Sequence, residues 1–255
     1  MMKLLNSPNI PSSVVRLAAV AESAGECTKK LKEIDVDVLP VPPIREFRTS
    51  VKDHADLQIL PFSEKSIFLT EHMFSLLSLK IAEAKLQTED FDTKLLNTSL
   101  NEEYPADVPL NAVVIGKYLL CNPKTISASV LEASEQAGLK MIPVKQGYTK
   151  CSVCILNENA IITDDIGIYQ SAQFFLNDVT YVPKNSIRLR GFDYGFIGGA
   201  TGLIDKNVLA VNGSIESHDG HNDIIDALAR NNIKAIELRQ GPMEDIGSII
   251  PIFEK

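Results

Sequence analysis

The stretch YTKCSVCILNENAIITDD (148–165) carries two apolar runs, KCSVCIL and AIITDD, on either side of a short polar interruption. Both have strand character. The segment IYQSAQFFLND (168–178) follows with helical spacing, and VTYVPK (179–184) reads as another strand. The order strand, strand, helix, strand is therefore a unit to look for along the rest of the chain.

Four other places repeat it. HADLQIL (54–60), PADVPLN (105–111), KCSVCIL (150–156), GGATGLI (198–204) and DIGSIIP (245–251) align with Asp56, Asp107, Ser152, Ala200 and Gly247 in one column, at steps of 51, 45, 48 and 47 residues. An apolar strand precedes each: VDVLPVP (36–42), KLLNTSL (94–100), KMIPVK (140–145), VTYVPK (179–184) and KAIELR (234–239). Second strands follow four of them, SIFLT (66–70), YLLCNP (118–123), AIITDD (160–165) and NVLAVNG (207–213). Helices then follow, clearest in SASVLEASEQAG (127–138), IYQSAQFFLND and NDIIDALARNN (222–232); Asn222 or Asp223 is placed to cap the last, and Gly138 to close the first. The fifth copy stops after SIIPIFEK, and the helix expected over 14–33 with the strand VDVLPVP would complete it. The expected fold is α/β, a five-fold pseudo-symmetric propeller of strand-strand-helix-strand modules closing into a ring, as one domain over residues 1–255.

Composition narrows the function. A 45% hydrophobic and 23% charged chain of 255 residues is that of a globular protein with a sizeable core. A net charge of -8 leaves no basic surplus for phosphates, so neither nucleic acid nor an anionic membrane is an expected partner. The most basic run, REFRTSVK (45–52), is too short to alter this, and no apolar stretch reaches membrane-spanning length. Pro8, Pro11 and Arg16 interrupt the N-terminal apolar run, which reads as folded sequence rather than a leader. Four irregularly spaced cysteines form no disulfide framework, and a reducing cytoplasm is the expected location.

The repeat order, together with GFIGGATGLIDKNVLAVNG (195–213) and CSVCILNENAIITDD, resembles the guanidino-group-modifying enzymes, the pentein or α/β-propeller superfamily that includes dimethylargininase, arginine deiminase and amidinotransferase. Gly147–Ser152, Gly195–Gly199 and Asp245–Gly247 further resemble GYxKCS, GFIGG and DIG of a bacterial branch without an assigned reaction. The resemblance implies a catalytic cysteine in the last module, a His-Asp pair in an earlier one, and acidic residues gripping a guanidinium. The last module, GPMEDIGSIIPIFEK, contains no cysteine, and GHND (220–223) opens a helix instead of lying on an inner strand.

Other candidates must therefore carry any chemistry. A metal or dithiol reading of CSVC lacks further ligands, and on a strand residues three apart face opposite ways. Cys151, beside Lys150, is the candidate nucleophile, since a neighbouring positive charge favours thiolate; the alternative is that Cys151 and Cys154 are small core residues. His54 is the candidate acid/base. Asp56, Asp107 and Asp245 would orient a cationic substrate, the alternative being turn formation. Tyr194, Gly198 and Gly199 would line the pocket with Lys150, although GFDYGFIGGATG (191–202) also reads as a bulged, tightly turning strand. His218, His221 and Asp223 read as helix-start residues.

The expected function is a cysteine-dependent hydrolase acting on a small cationic guanidino or amidine compound, with no cofactor and no metal. The alternative is a non-catalytic binding or scaffold protein on the same fold, comparable to a ribosome anti-association factor.

Overall fold

The computed structural model describes residues 3–47, 49–83, 92–96 and 100–255. The chain enters through β1 (Lys3–Leu4) and β2 (Val15–Ala21), and continues into α1 (Gly25–Glu33), β3 (Asp37–Val41) and a single helical turn, α2 (Ala55–Gln58). One order then recurs four times. It runs β4 (Ile59–Ser63), β5 (Ser66–Leu69), α3 (Glu71–Glu83), β6 (Asp92–Leu95), and next β7 (Val113–Ile115), β8 (Tyr118–Cys121), α4 (Ala128–Gln136), β9 (Lys140–Pro143). The third and fourth rounds are β10 (Val153–Asn157), β11 (Ala160–Thr163), α5 (Ile166–Ala172), β12 (Asp178–Tyr181), and β13 (Thr201–Asp205), β14 (Val208–Val211), α6 (His221–Arg230), β15 (Lys234–Glu237). The chain ends on β16 (Ile250–Glu254).

Each round pairs its first two strands antiparallel across a two-residue turn and its last two strands in parallel around the helix. Three of the hairpins carry a bulge at the same place, before Ser63, Asn157 and Asp205. The helices end alike where the sequence allows it. Asp35, Gly138 and Asn232 adopt positive φ, and the next amide reaches back to Leu31, Ser134 and Leu228 at 2.9–3.0 Å.

Closure comes from both ends of the chain. β16 pairs antiparallel with β2, which pairs in parallel with β3, so the fifth sheet joins the last residues to the first. Five apolar clusters fill the five spaces between neighbouring sheets. Ile250 and Leu39 meet Ile59 and Leu69, Leu60 and Phe68 meet Val114 and Leu119, and Val113 and Leu120 meet Ile155 and Ile161. Leu156 and Ile162 meet Leu203 and Leu209, and Ile204 and Ala210 meet Val15 and Leu31. The two inner strands of each sheet are thus largely buried on both faces, which explains why the first strands read as near-continuous apolar runs. The outer strands β6, β9, β12 and β15 are instead largely half-buried or exposed.

Two sequence expectations change. Val15–Ala21 is a strand, not the start of a helix over 14–33; it lies between β16 and β3 and is apolar on both faces. The repeat register also differs. Leu60, Val113, Cys154 and Gly202 pair with equivalent residues of their second strands, and the residues four places upstream are Asp56, Pro109, Lys150 and Gly198. Asp56 and Asp107 are therefore not equivalent. Residues 97–99 of the expected strand 94–100, Arg48 of the basic run, and 87–91 of the polar stretch Gln87–Glu103 lie outside the described residues.

Candidate functional site

The segments leading into the five first strands converge at one end of the ring, where their backbones are tied into a circle. Asp56 N donates to Gly247 O (3.1 Å), Ser248 N to Gly199 O (2.8 Å), and Gly199 N to Cys151 O (2.9 Å). Asn111 completes it through its side chain. Its Oδ1 accepts from Lys150 N (2.6 Å) and Cys151 N (3.3 Å), and its Nδ2 donates to Asp56 O (3.0 Å). Cys151 lies in the turn before β10, where Ser152 N reaches Tyr148 O and Val153 N reaches Lys150 O, so CSVC is only partly strand. Cys154, inside β10, packs in the cluster with Leu156 and Leu203.

Inside this circle sits a buried polar knot of Asp56, Lys150, Cys151, Asp245 and Ser248, with His54 against it. The Ser248 hydroxyl accepts from the Lys150 ammonium at 3.0 Å and has its own proton available for Asp56 Oδ2 (2.7 Å) or Gly198 O (2.8 Å). Asn111 Nδ2 also donates to Cys151 Sγ at 3.1 Å. Asp245 accepts Gly247 N on Oδ1 (2.9 Å) and Phe196 N on Oδ2 (3.0 Å), and His54 Nδ1 lies 3.8 Å from Oδ1. Ser248 holds φ of 74°, a left-handed conformation uncommon for a residue with a side chain, and it places the hydroxyl among these groups.

Burial dominates the electrostatics of the knot. It pushes the Cys151 thiol well above its ordinary value, the charges of Asp56 and Asp245 add to the rise, and the hydrogen bond from Asn111 opposes it. The ammonium of Lys150, expected to lower this thiol, donates to Ser248 and lowers Cys154, and it does not offset the burial that raises Cys151. Asp245 is raised by burial, against the effect of His54. Asp164, next to the knot, accepts Ile197 N at 2.8 Å and is pushed up to about 7, chiefly by burial.

A cleft of about 650 Å³ opens beside the knot, with His54, Asp245 and Asp53 in its wall together with Ser23, Arg190 and Arg239. This size suits a small ligand. Cys151 is not among the residues lining it, but Asp245 is, and Asp245 is near enough to the thiol to act on its charge.

Of the residues singled out from the sequence, His54, Asp56, Lys150, Cys151 and Asp245 come together. Asp107 does not join them. It accepts a hydrogen bond from the Tyr148 hydroxyl, and Tyr148 stacks on Phe196 with ring centroids 6.0 Å apart. Tyr194 packs edge-on to Phe196, with Lys184 Nζ 5.9 Å from its ring centre, and does not line the cleft. Gly198 and Gly199 make room instead of lining a pocket. A Cβ on Gly198 would sit 2.3 Å from Lys150 O, and one on Gly199 2.0 Å from Asp245 Oδ1. His218 accepts Gly220 N at 2.9 Å in the turn before α6, whose N-cap is Gly220 instead of Asn222 or Asp223. Sequence reasoning missed Asn111, Tyr148 and Ser248. Asn111 interrupts the apolar run between Leu110 and Ala112, and that was the one signal available.

Solved structures share the fold. The inosamine-phosphate amidinotransferase of Streptomyces griseus superposes with a TM-score of 0.58 at 11% identity, covering 93% of this chain and 92% of that one. The amidinotransferase of the saxitoxin pathway from Microseira wollei gives 0.55 at 9% identity, over 92% and 91%. Dimethylarginine dimethylaminohydrolase of Pseudomonas aeruginosa, in complex with citrulline, gives 0.52 at 11%, over 92% and 96%. The five-module α/β propeller of this chain is therefore the pentein fold of guanidino-modifying enzymes. No described helix is long and apolar enough to cross a membrane. No curated protein sequence matches the chain. A family of unknown function (DUF6873) matches residues 19–250, and the chain belongs to that family.

Proposed function

We propose that the protein is a cysteine-dependent hydrolase of a small compound bearing a guanidinium or amidinium group, working without a cofactor in the reducing interior of the cell. One observation carries this reading: a thiol, an imidazole and two carboxylates from three modules meet in a single buried knot beside a ligand-sized cleft. A cation arriving through the cleft meets Asp245, then Asp56. Its charge offsets the two carboxylates that help hold Cys151 protonated, so the substrate itself readies the nucleophile.

The sulfur adds to the central carbon as its proton leaves, and one C–N bond breaks with the departing nitrogen taking a proton from His54. Water then adds as His54 takes a proton back, and the C–S bond breaks. For a guanidinium the sum is guanidinium plus water giving urea plus ammonium, with no electron transfer. General acid/base help from His54 is worth about 10² to 10⁴ in rate.

The test is labelling by 2-chloroacetamidine, a cationic amidine, against neutral iodoacetamide, read by peptide mass spectrometry. The cationic reagent is expected to label Cys151 faster than the neutral one and to leave Cys154 untouched. A Cys151 inert to both until the protein unfolds would overturn the reading.

One observation favours a second reading, a non-catalytic binder of the same cations: Cys151 stays out of the cleft wall. Calorimetric binding of a guanidinium compound, equal in wild type and Cys151→Ala and without turnover, would mark that case.

A further inference from the structure

The proposed hydrolase needs a group that takes the proton of Cys151, and the surroundings of the thiol point to a residue other than the histidine. His54 stands at the cleft, with its Nδ1 turned to Asp245. Asp56 is entirely buried next to the thiol, and its two oxygens are treated differently. Oδ2 lies 2.7 Å from the Ser248 hydroxyl. Oδ1 is buried and accepts no N–H or O–H among the described residues, and the carboxylate lies within hydrogen-bonding reach of the Cys151 thiol. An orphaned carboxylate oxygen in a folded interior is expensive, and such atoms are retained where they have a task.

The surroundings hold this carboxylate in place from several sides. Asn111 Nδ2 donates both to the backbone carbonyl of Asp56 and to the sulfur of Cys151, fixing the two residues relative to one another. Lys150 Nζ donates to Ser248 Oγ at 3.0 Å, which leaves the hydroxyl proton free to point at Asp56. Ser248 is in turn locked by its positive φ and by its amide on Gly199 O.

The geometry points to Asp56 as the proton acceptor for Cys151, with Oδ1 receiving the thiol proton and Ser248 and Lys150 holding the carboxylate in place through Oδ2. The inference rests on the reading of Cys151 as nucleophile. In the step, the S–H bond breaks as a C–S bond forms to the electrophilic carbon, and the proton moves to Oδ1, giving a neutral carboxylic acid. That acid returns the proton to the sulfur when the C–S bond breaks. Asp56 is then a catalytic residue, Ser248 and Lys150 are positioning residues, and His54 is left to serve the departing nitrogen and the water.

The experiment measures the rate of Cys151 alkylation by 2-chloroacetamidine at neutral pH, a reaction that forms C–S, releases chloride and moves one proton. Wild type, Asp56→Asn and Ser248→Ala are compared in light and heavy water. A proton acceptor predicts that Asp56→Asn slows the reaction by about 10² to 10⁴. Ser248→Ala should slow it about tenfold, the worth of one strong hydrogen bond. The wild-type reaction should also slow in heavy water, and that sensitivity should be lost in Asp56→Asn.

If Asp56 acts only through its charge, removing that charge eases thiol ionisation, and Asp56→Asn reacts as fast as wild type or faster. That result overturns the inference and leaves the nucleophile reading intact. A wild-type rate without heavy-water sensitivity also overturns it, and this measurement needs no variant to fold. A wild-type thiol that reacts with nothing before unfolding overturns the nucleophile reading and the inference with it.

Discussion

Asn111 lies beneath Cys151 and holds it twice, donating to the sulfur at 3.1 Å and accepting the cysteine's own amide at 3.3 Å. The same side chain accepts Lys150 N and donates to Asp56 O, so one residue, 1% exposed, links three of the five modules. Asn111→Ala would strand two buried amides and a buried carbonyl, each costing about 1–3 kcal/mol. A drop of several degrees or more in Tm is expected, and Asn111→Asp should recover part of it by keeping the acceptor. Thermal melts of the two variants would check this.

Asp164 supplies a pH dependence whose sign can be stated. Its folded pKa of about 7 lies above the ordinary 3.8, so the native state holds the proton more tightly than the unfolded chain. Stability from this group is therefore highest at low pH and falls between about pH 4 and pH 7. Asp164→Asn keeps an oxygen for Ile197 N and removes the charge. It should melt higher than wild type at pH 8 and lose that advantage at pH 5, by calorimetry at both values.

At Gly198 a side chain has nowhere to go. The Cβ of alanine would meet three carbonyl oxygens, those of Lys150, Cys151 and Val153, at 2.3, 2.7 and 2.4 Å. Backbone must move, and overpacking of this kind costs about 1–3 kcal/mol. Gly198→Ala should lower Tm and also make Cys151 more accessible to neutral iodoacetamide, because the turn that buries the thiol is what must shift.

The four cysteines should separate by reactivity. All are free and buried, and burial pushes Cys27 and Cys121 up to about 12 and Cys154 to about 11. At pH 8 these three should stay unlabelled by iodoacetamide in the native state and react on unfolding. Peptide mass spectrometry before and after adding denaturant would show it.

The fold was legible because its unit is short, apolar on both faces and used repeatedly, so strand and helix signals recur along the chain. The register was not. Hairpin bulges and loops of unequal length shift each copy by a residue or two, which is how Asp107 came to align with Asp56 while its carboxylate actually meets Tyr148. Val15–Ala21 read as helix because Leu17, Ala18, Ala19 and Ala21 are good helix formers, and pairing on both edges overrides such propensities. Of the site, the charged and thiol-bearing residues were visible by their chemistry. Asn111 and Ser248 were not, since an asparagine and a serine acquire a role only from what the closed ring sets beside them.

The pairing of β16 with β2 has a consequence for how the molecule is made. Contacts between residues some 230 positions apart form late, because loop closure must be met before they contribute. A chain emerging from the ribosome can stack its modules in order, yet the edge of β2 and the cluster around Ile59, Ile67 and Leu69, which Ile250, Ile252 and Phe253 help to fill, stay incomplete until Ile250–Glu254 arrives. Birth of the protein therefore includes an interval in which an almost complete ring is open at one seam, and that seam, carrying unpaired strand edges, is where chaperones or aggregation would act first.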